Sequence, residues 1–186
     1  MRRNIRPGLA ALAVPVLLSI LSGCHIMSTI PIPAPQVDLD RYMGDWYVIE
    51  SIPTRLEKDA WNAVESYSRD PDGSIKTTFT YNKGAFEGPA KSLHARGFVK
   101  DFDTNAVWGM QFIWPIKSDY RIAWIADDYG SVLVAREKRD YLWIMSRQPT
   151  LPTDELERLE RKAAELGYDV SKIRRVPQEN ARAPAH

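Results

Sequence analysis

Residues 120–147 read YRIAWIADDYGSVLVAREKRDYLWIMSR. Three runs rich in Val, Ile, Trp and Tyr, at 120–126, 131–136 and 140–147, alternate with turn chemistry at Asp128-Tyr129-Gly130 and Lys138-Arg139-Asp140. Neither gap can hold a crossover helix, so consecutive runs pair antiparallel. The same texture extends upstream. Further β-prone runs cover roughly 46–52, 61–68, 75–81, 91–99 and 106–113. Asp70-Pro71-Asp72-Gly73, Asn82-Lys83-Gly84 and the segment 101–105 punctuate them. Eight sequential hairpin-connected strands predict an all-β fold, an up-and-down antiparallel barrel, because closure removes the unpaired edges of such a sheet.

Downstream the period changes. Leu156, Leu159, Ala163 and Leu166 recur at helical spacing. Thr153 reads as the N-cap, Asp154 and Glu155 suit the first turn, and Gly167 suits the stop. An amphipathic C-terminal helix packed on the outside of the barrel is expected. The basic residues Arg158, Arg161, Lys162, Lys172, Arg174 and Arg175 read as a solvated face, with contact to anionic lipid heads as the alternative. Residues 177–186 read as a disordered tail.

Upstream, Arg2, Arg3 and Arg6 precede an apolar run from Leu9 to Ile20, then Ser22, Gly23 and Cys24. This is the order of a secretory signal, and the run is shorter than the roughly 20 residues of a comfortable membrane span. Leu21-Ser22-Gly23-Cys24 resembles the lipobox of bacterial lipoproteins. That resemblance implies cleavage after residue 23 and acylation of Cys24, which also accounts for a lone thiol in an exported chain. His25, where Asp would favour inner-membrane retention, implies the outer membrane, with the domain facing the periplasm. Pro31, Pro33 and Pro35 make 24–37 an extended tether. The expected organisation is a signal at 1–23, an acylated tether at 24–37, a domain at 38–176 and a tail at 177–186.

Composition narrows the function. A net charge of +1 lacks the footprint of nucleic-acid binding. Three histidines, His25, His94 and His186, have no metal-ligand spacing, so no metal or cofactor is expected. There is no G-x-S-x-G, no Walker loop and no dinucleotide fingerprint, and catalytic readings do poorly. Asp127-Asp128 reads as a turn cap rather than a catalytic pair, since neighbours on a strand face opposite ways. The 6 Trp, 8 Tyr and 5 Phe call for a large interior or a ligand to face.

Gly44-Asp45-Trp46-Tyr47 resembles the Gly-x-Trp signature that opens the lipocalin barrel. Asp127-Asp128-Tyr129 is similar to the family's Thr-Asp-Tyr element with Asp127 in place of Thr, and Arg147 matches the Arg that ends the eighth strand. From Val37 to about Val176 the chain resembles the bacterial outer-membrane lipocalins related to apolipoprotein D. In an up-and-down barrel Trp46, Asp128 and Arg147 fall on one rim, so Gly44, Trp46, Asp128, Tyr129 and Arg147 are expected to plug a floor, with Arg147 over the indole. Residues 38–43 would close that rim as a short turn of helix. The loops near 53–60, 82–89, 114–119 and 137–140 form the mouth.

Period-two alternation then nominates the inward side chains. They are Thr77 and Phe79, Leu93 and Ala95, then Trp108, Met110 and Phe112. Tyr120, Ile122 and Trp124 follow, then Leu133 and Ala135, and finally Tyr141, Trp143 and Met145. Strand-one parity puts Glu50 inside and a similar alignment puts Glu65 inside, where unpaired carboxylates are costly; for both, a slip at a bulge or a solvated mouth position is the first reading, ahead of pairing with Arg or Lys near the mouth or with a ligand head group. The resemblance implies a single-chain amphiphile, a fatty acid or lysophospholipid, bound tail inward at the outer membrane in envelope maintenance or stress. Two alternatives stay open: a carrier of another hydrophobic or planar ligand, and an interaction protein whose barrel is packed shut. The mouth aromatics also leave a homodimer open.

Overall fold

The structure, a computed structural model, describes residues 30–179. The signal segment, Cys24 and the tail beyond 179 lie outside the described residues. A four-residue helix α1 (Leu39–Tyr42) leads into β1 (Gly44–Ile52), β2 (Ala60–Arg69), β3 (Ile75–Lys83) and β4 (Ala90–Val99). Then come β5 (Val107–Ile113), β6 (Ile116–Ile125), β7 (Ser131–Ala135) and β8 (Leu142–Ser146). Helix α2 (Thr153–Glu165), a 3₁₀ turn (Val170–Lys172) and a two-residue strand β9 (Arg174–Arg175) follow. Each of the first seven strands pairs antiparallel with its successor, and β1 pairs with both β8 and β2, closing the barrel.

Closure is incomplete along one seam. β1 pairs β2 only over Gly44 to Tyr47, and bulges interrupt β1 between Val48 and Glu50 and β2 between Trp61 and Val64. The C-terminal segment fills the gap. β9 pairs with Glu50 and Ser51, and the Val176 N–H donates to Ile49 O at 2.9 Å. Buried Gln178 donates from Nε2 to Val48 O at 2.9 Å and to Ala63 O at 3.0 Å, bridging the two strands. The Asn62 N–H donates to Pro177 O, and the Glu179 N–H to the Asn62 side chain. The expectation of a loose tail from 177 is therefore corrected as far as 179: unpaired seam carbonyls hold these residues in place.

The tether is corrected likewise over residues 30–37. The Val37 N–H donates to Thr104 O, Val37 is buried, and Ile32 and Ala34 pack on the domain. Prolines keep this stretch free of regular structure, yet it lies against the protein.

Two apolar cores share the sheet. One lies inside the barrel and contains Trp46, Val48, Phe79, Trp108, Ile122, Val132, Val134 and Met145. The other lies between the sheet's outer face and α2, and contains Ile49, Ala123, Leu133, Ala135, Ile144, Leu156, Leu159 and Ala163. This division corrects the assignment of Trp124, Leu133 and Ala135 to the interior. β6 is bulged between Ile122 and Trp124, which turns Ala123 and Trp124 both outward, under α2. On β7 the five residues are all buried, so burial gives no alternation to read; Val132 and Val134 face in, and Leu133 and Ala135 face the helix. Trp124 lies beneath Arg158, whose guanidinium is 4.4 Å from its ring. Part of the helix's basic face thus covers an indole rather than facing water alone.

Helix α2 starts one residue differently from expectation. Pro152 is its cap position and makes no side-chain capping bond; Thr153 is already helical. Glu155 in the first turn accepts from Ser131 Oγ at 2.7 Å and pairs with Arg158, tying the helix to β7. Gly167, at φ +86°, ends the helix as expected.

Candidate functional site

The floor is built from the signature residues. Gly44 has φ +93°, a conformation that disfavours any side chain, and a Cβ there would lie 3.5 Å from Arg147 Nη1. Arg147 stacks 3.8 Å above the Trp46 ring and donates to Asp45 O, Arg41 O, Tyr42 O and Met43 O at 2.7–3.0 Å. It thereby caps the C-terminal carbonyls of α1, one of which, Tyr42 O, also accepts from Trp46 Nε1 at 2.9 Å. Asp38 caps the other end of α1 through the Asp40 and Arg41 N–H groups. Tyr129 accepts from the Asp38 N–H at 2.8 Å and lies under Arg41, while Asp128 accepts from Gly130 N–H at 2.8 Å. Asp128 is the cap of its turn, and Tyr129, beside it, meets the same rim as Trp46 and Arg147 through Asp38 and Arg41.

Above this rim the barrel is solid. Tyr42 and Tyr67 meet the Trp108 ring edge-on, and Tyr120 stacks on it at 5.1 Å. Their hydroxyls form a chain: Tyr42 to Tyr120 at 2.7 Å, Tyr120 to Tyr67 at 2.7 Å, and Tyr67 to Glu65 Oε2. Phe79, Trp108, Ile122 and Met145, all expected to line a ligand, face inward but are buried in this packing below the open space.

The mouth half is hollow. A cavity of about 320 Å³ opens at that end, at the lower limit of about 300–1,000 Å³ usual for ligand pockets. Leu93, Met110, Phe112, Tyr120, Tyr141 and Trp143 line it, as period-two reading expected. Thr54, Arg55, Leu56 and Glu57 from the β1–β2 loop, with Ser118 and Asp119, line it too, from two of the loops expected to form the mouth but with no individual side chain nominated; Arg136 was not foreseen. That loop reaches over the cavity, and Tyr81 Oη donates to Leu56 O at 3.0 Å to hold it. Loop residues carry no periodicity, so no sequence pattern could assign them a face. The Leu-Glu pair between charged residues in 55–58 was the one available hint.

The walls are apolar, but the charges are organised. At the mouth Arg136 pairs with Asp140 at 3.3 Å and lies 5.1 Å from the Tyr141 ring, and its buried Nε has no partner among the described residues. Arg121 pairs with Asp119 and with Glu137. Glu57 accepts from the Thr54 N–H at 3.1 Å, and burial raises its pKa. At the bottom Glu65, opposite Trp46 and Phe79 in the sheet and 9% exposed, has its pKa pushed up to about 8 by burial and then by the negative Glu57 nearby. It is therefore an uncharged acid at neutral pH. Glu50, by contrast, faces outward: the β1 bulge sends it beneath α2, 3.7 Å from Arg175 Nε, and burial followed by Glu160 raises its pKa to about 7. The expected slip at a bulge is what the strand shows.

Among the described residues no three His, Cys, Asp or Glu side chains cluster as a metal site. The arrangement suits binding: largely apolar, aromatic walls, a charged entrance and one acid at the base.

Comparison with known proteins agrees with this geometry. Residues 37–178 match the family model described as a lipocalin-like domain. The chain is 35% identical over 152 residues to temperature-induced lipocalin-1 of Arabidopsis thaliana, covering 76% of this chain and 80% of that protein. It is 30% identical over 143 residues to the outer membrane lipoprotein Blc of Escherichia coli K12, covering 76% and 79%. Among solved structures, the cockroach allergen Per a 4 superposes with a TM-score of 0.60 at 19% identity, over 81% of this chain and 94% of that one.

Proposed function

This chain belongs to the lipocalin-like domain family, and from that premise we propose that it carries one amphiphilic lipid, a fatty acid or lysophospholipid, beside the membrane that holds it. The observation that carries the reading is the mouth-side cavity: about 320 Å³, with apolar aromatic walls, closed below by a packed floor. An acyl chain entering it would leave water for Leu93, Met110, Phe112 and Trp143, at roughly 0.8 kcal/mol per buried methylene. Arg55 and Arg136 line the same cavity and suit a carboxylate or phosphate head. The protein acts by binding and release, not by catalysis.

The proposed anchor is acylated Cys24, and the proposed location is the outer membrane with the barrel in the periplasm. The relative Blc is named an outer membrane lipoprotein. Ile30 O accepts from Arg139, a mouth-loop residue, so the described chain begins at the mouth rim. Five residues lie between Cys24 and Ile30, and these six steps of chain span about 20 Å at most. An acylated Cys24 therefore keeps the mouth, rather than the floor, close to the bilayer. The mouth also carries the β5–β6 hairpin, whose Ile113, Trp114 and Ile116 are strongly exposed, Trp114 at 82%. Capture and storage of lipids released during envelope stress is the physiological role proposed.

The test is native mass spectrometry of the gently purified protein, with lipid extraction in parallel. We expect a co-purifying acyl lipid, displaced by added fatty acid with quenching of Trp143 fluorescence. A protein that is empty, takes up no lipid and keeps its fluorescence overturns the carrier reading and points to a protein-binding barrel.

A further inference from the structure

The bottom of the cavity is not apolar. Glu65 is 91% buried there, on β2, directly above the tyrosine floor. One of its oxygens, Oε2, accepts from Tyr67, whose hydroxyl is the last of the Tyr42–Tyr120–Tyr67 chain. Among the described residues the other oxygen, Oε1, has no hydrogen-bond partner, and it is not one of the atoms sealed from the cavity. A carboxyl in that position is costly unless something completes its hydrogen bonding. A plain methyl-ended chain reaching the bottom would remove it from any remaining water and offer nothing in return.

We propose that the base of the cavity is a subsite for a hydroxyl group, so that the ligand carries a hydroxyl at or near the end that enters first and an acidic head at the mouth. A hydroxyl both donates and accepts. It can accept the proton that an uncharged Glu65 presents, or donate to its oxygen, with no net charge brought into the barrel. An ammonium fits less well. It has three donors to satisfy, the tyrosine oxygens are already engaged with one another, and its desolvation is expensive. Arg55 and Arg136 at the opposite end of the same cavity complete the match, leaving the anionic head near the entrance. The ligand is thus polar at both ends, an ω-hydroxylated acid or its lysophospholipid counterpart, rather than a simple fatty acid.

This inference rests on the carrier reading and is tested so that the two can fail separately. Dodecanoic acid, its ω-hydroxy derivative and dodecylamine are titrated into the full chain at pH 6, followed by tryptophan fluorescence and calorimetry. We expect the ω-hydroxy acid to bind about tenfold tighter than dodecanoic acid. In Glu65→Leu the order should reverse, with dodecanoic acid binding at least as well as to the wild type, which also shows that the variant is folded. Glu65→Gln, which keeps a donor and an acceptor, should retain most of the preference. Equal affinities in the wild type, or a preference that survives Glu65→Leu, overturn the hydroxyl subsite and leave the carrier intact. Tightest binding of dodecylamine, lost in Glu65→Leu, overturns it in favour of a cation site. Binding of none of the three overturns the carrier reading itself.

Discussion

At the scale of single residues the protein separates a structural cation from a functional acid. Arg147 gives four carbonyls their donors and covers an indole, so it acts as a rivet between β8, α1 and β1. Arg147→Met keeps bulk over Trp46 but strands those acceptors, and should cost about 2–3 kcal/mol. Trp46→Ala removes the ring itself and should cost about 3–5 kcal/mol. Urea melts measure both, and a loss below about 1 kcal/mol for either would show that the floor is not the anchor described here. Glu65 works the other way. Its folded-state pKa lies above its unfolded value, so the folded protein holds this proton more tightly, and stability falls as pH rises from about 4.5 to about 8. Glu50 contributes in the same direction, but only up to about 7. Loss of stability between about pH 7 and 8 therefore includes a Glu65 share that Glu65→Gln should abolish. Chemical denaturation at pH 5, 7 and 8 checks it; an unchanged slope in the variant would mean that Glu65 is charged and solvated.

At the scale of elements the important interactions are those that repair irregular strands. Bulges in β1 and β2 part the two strands beyond Tyr47, and β9 with Gln178 closes the gap from the outside. Gln178→Ala removes both donors at once and should cost about 1–2 kcal/mol. Its amide-exchange signature should be local: faster exchange at Val176 and Asn62, with the β3–β4 pair unchanged. Uniform exchange would mean that the segment merely lies on the surface. The β5–β6 hairpin is a second irregular element. Its exposed Ile113, Trp114 and Ile116 are followed by Lys117, an arrangement suited to the interface between lipid heads and tails. Replacing Ile113 and Trp114 by Ser should weaken association of the unacylated protein with anionic vesicles several-fold and leave its melting temperature unchanged. Unaltered vesicle binding would remove the hairpin from the membrane contact.

For the whole molecule the decisive fact is that the barrel is half filled. Stability resides in the floor, where Tyr42, Trp46, Tyr67, Trp108 and Met145 exclude water. Adaptability resides in the mouth, where Met110, Tyr141 and Trp143 line open space beside the β1–β2 loop. The two demands therefore do not compete: a residue at the mouth can be changed for ligand preference without loosening the plug. The charged entrance, the apolar hairpin and the first described residues lie on the same rim, which directs both the ligand path and the proposed anchor toward one surface.

Much of this was legible in the sequence because it follows from local chemistry. Turn residues at regular intervals set the number of strands and the antiparallel order, and Gly44, Trp46 and Arg147 marked the floor through their resemblance to a family signature, with strand order placing Trp46 and Arg147 on one rim. Alternation assigned Leu93, Met110, Tyr141 and Trp143 to the cavity where strands are regular and one face is wet. It failed at Trp124, just past a bulge, and at Leu133, on a strand buried on both faces, because parity then has no reference. Only the tertiary structure decided that 177–179 seal a seam, since their partners are carbonyls left over by bulges elsewhere in the chain. It also decided that the barrel is packed below and open above. Side-chain identity fixes how much aromatic volume is present, but where that volume collects depends on how the strands tilt and close around it.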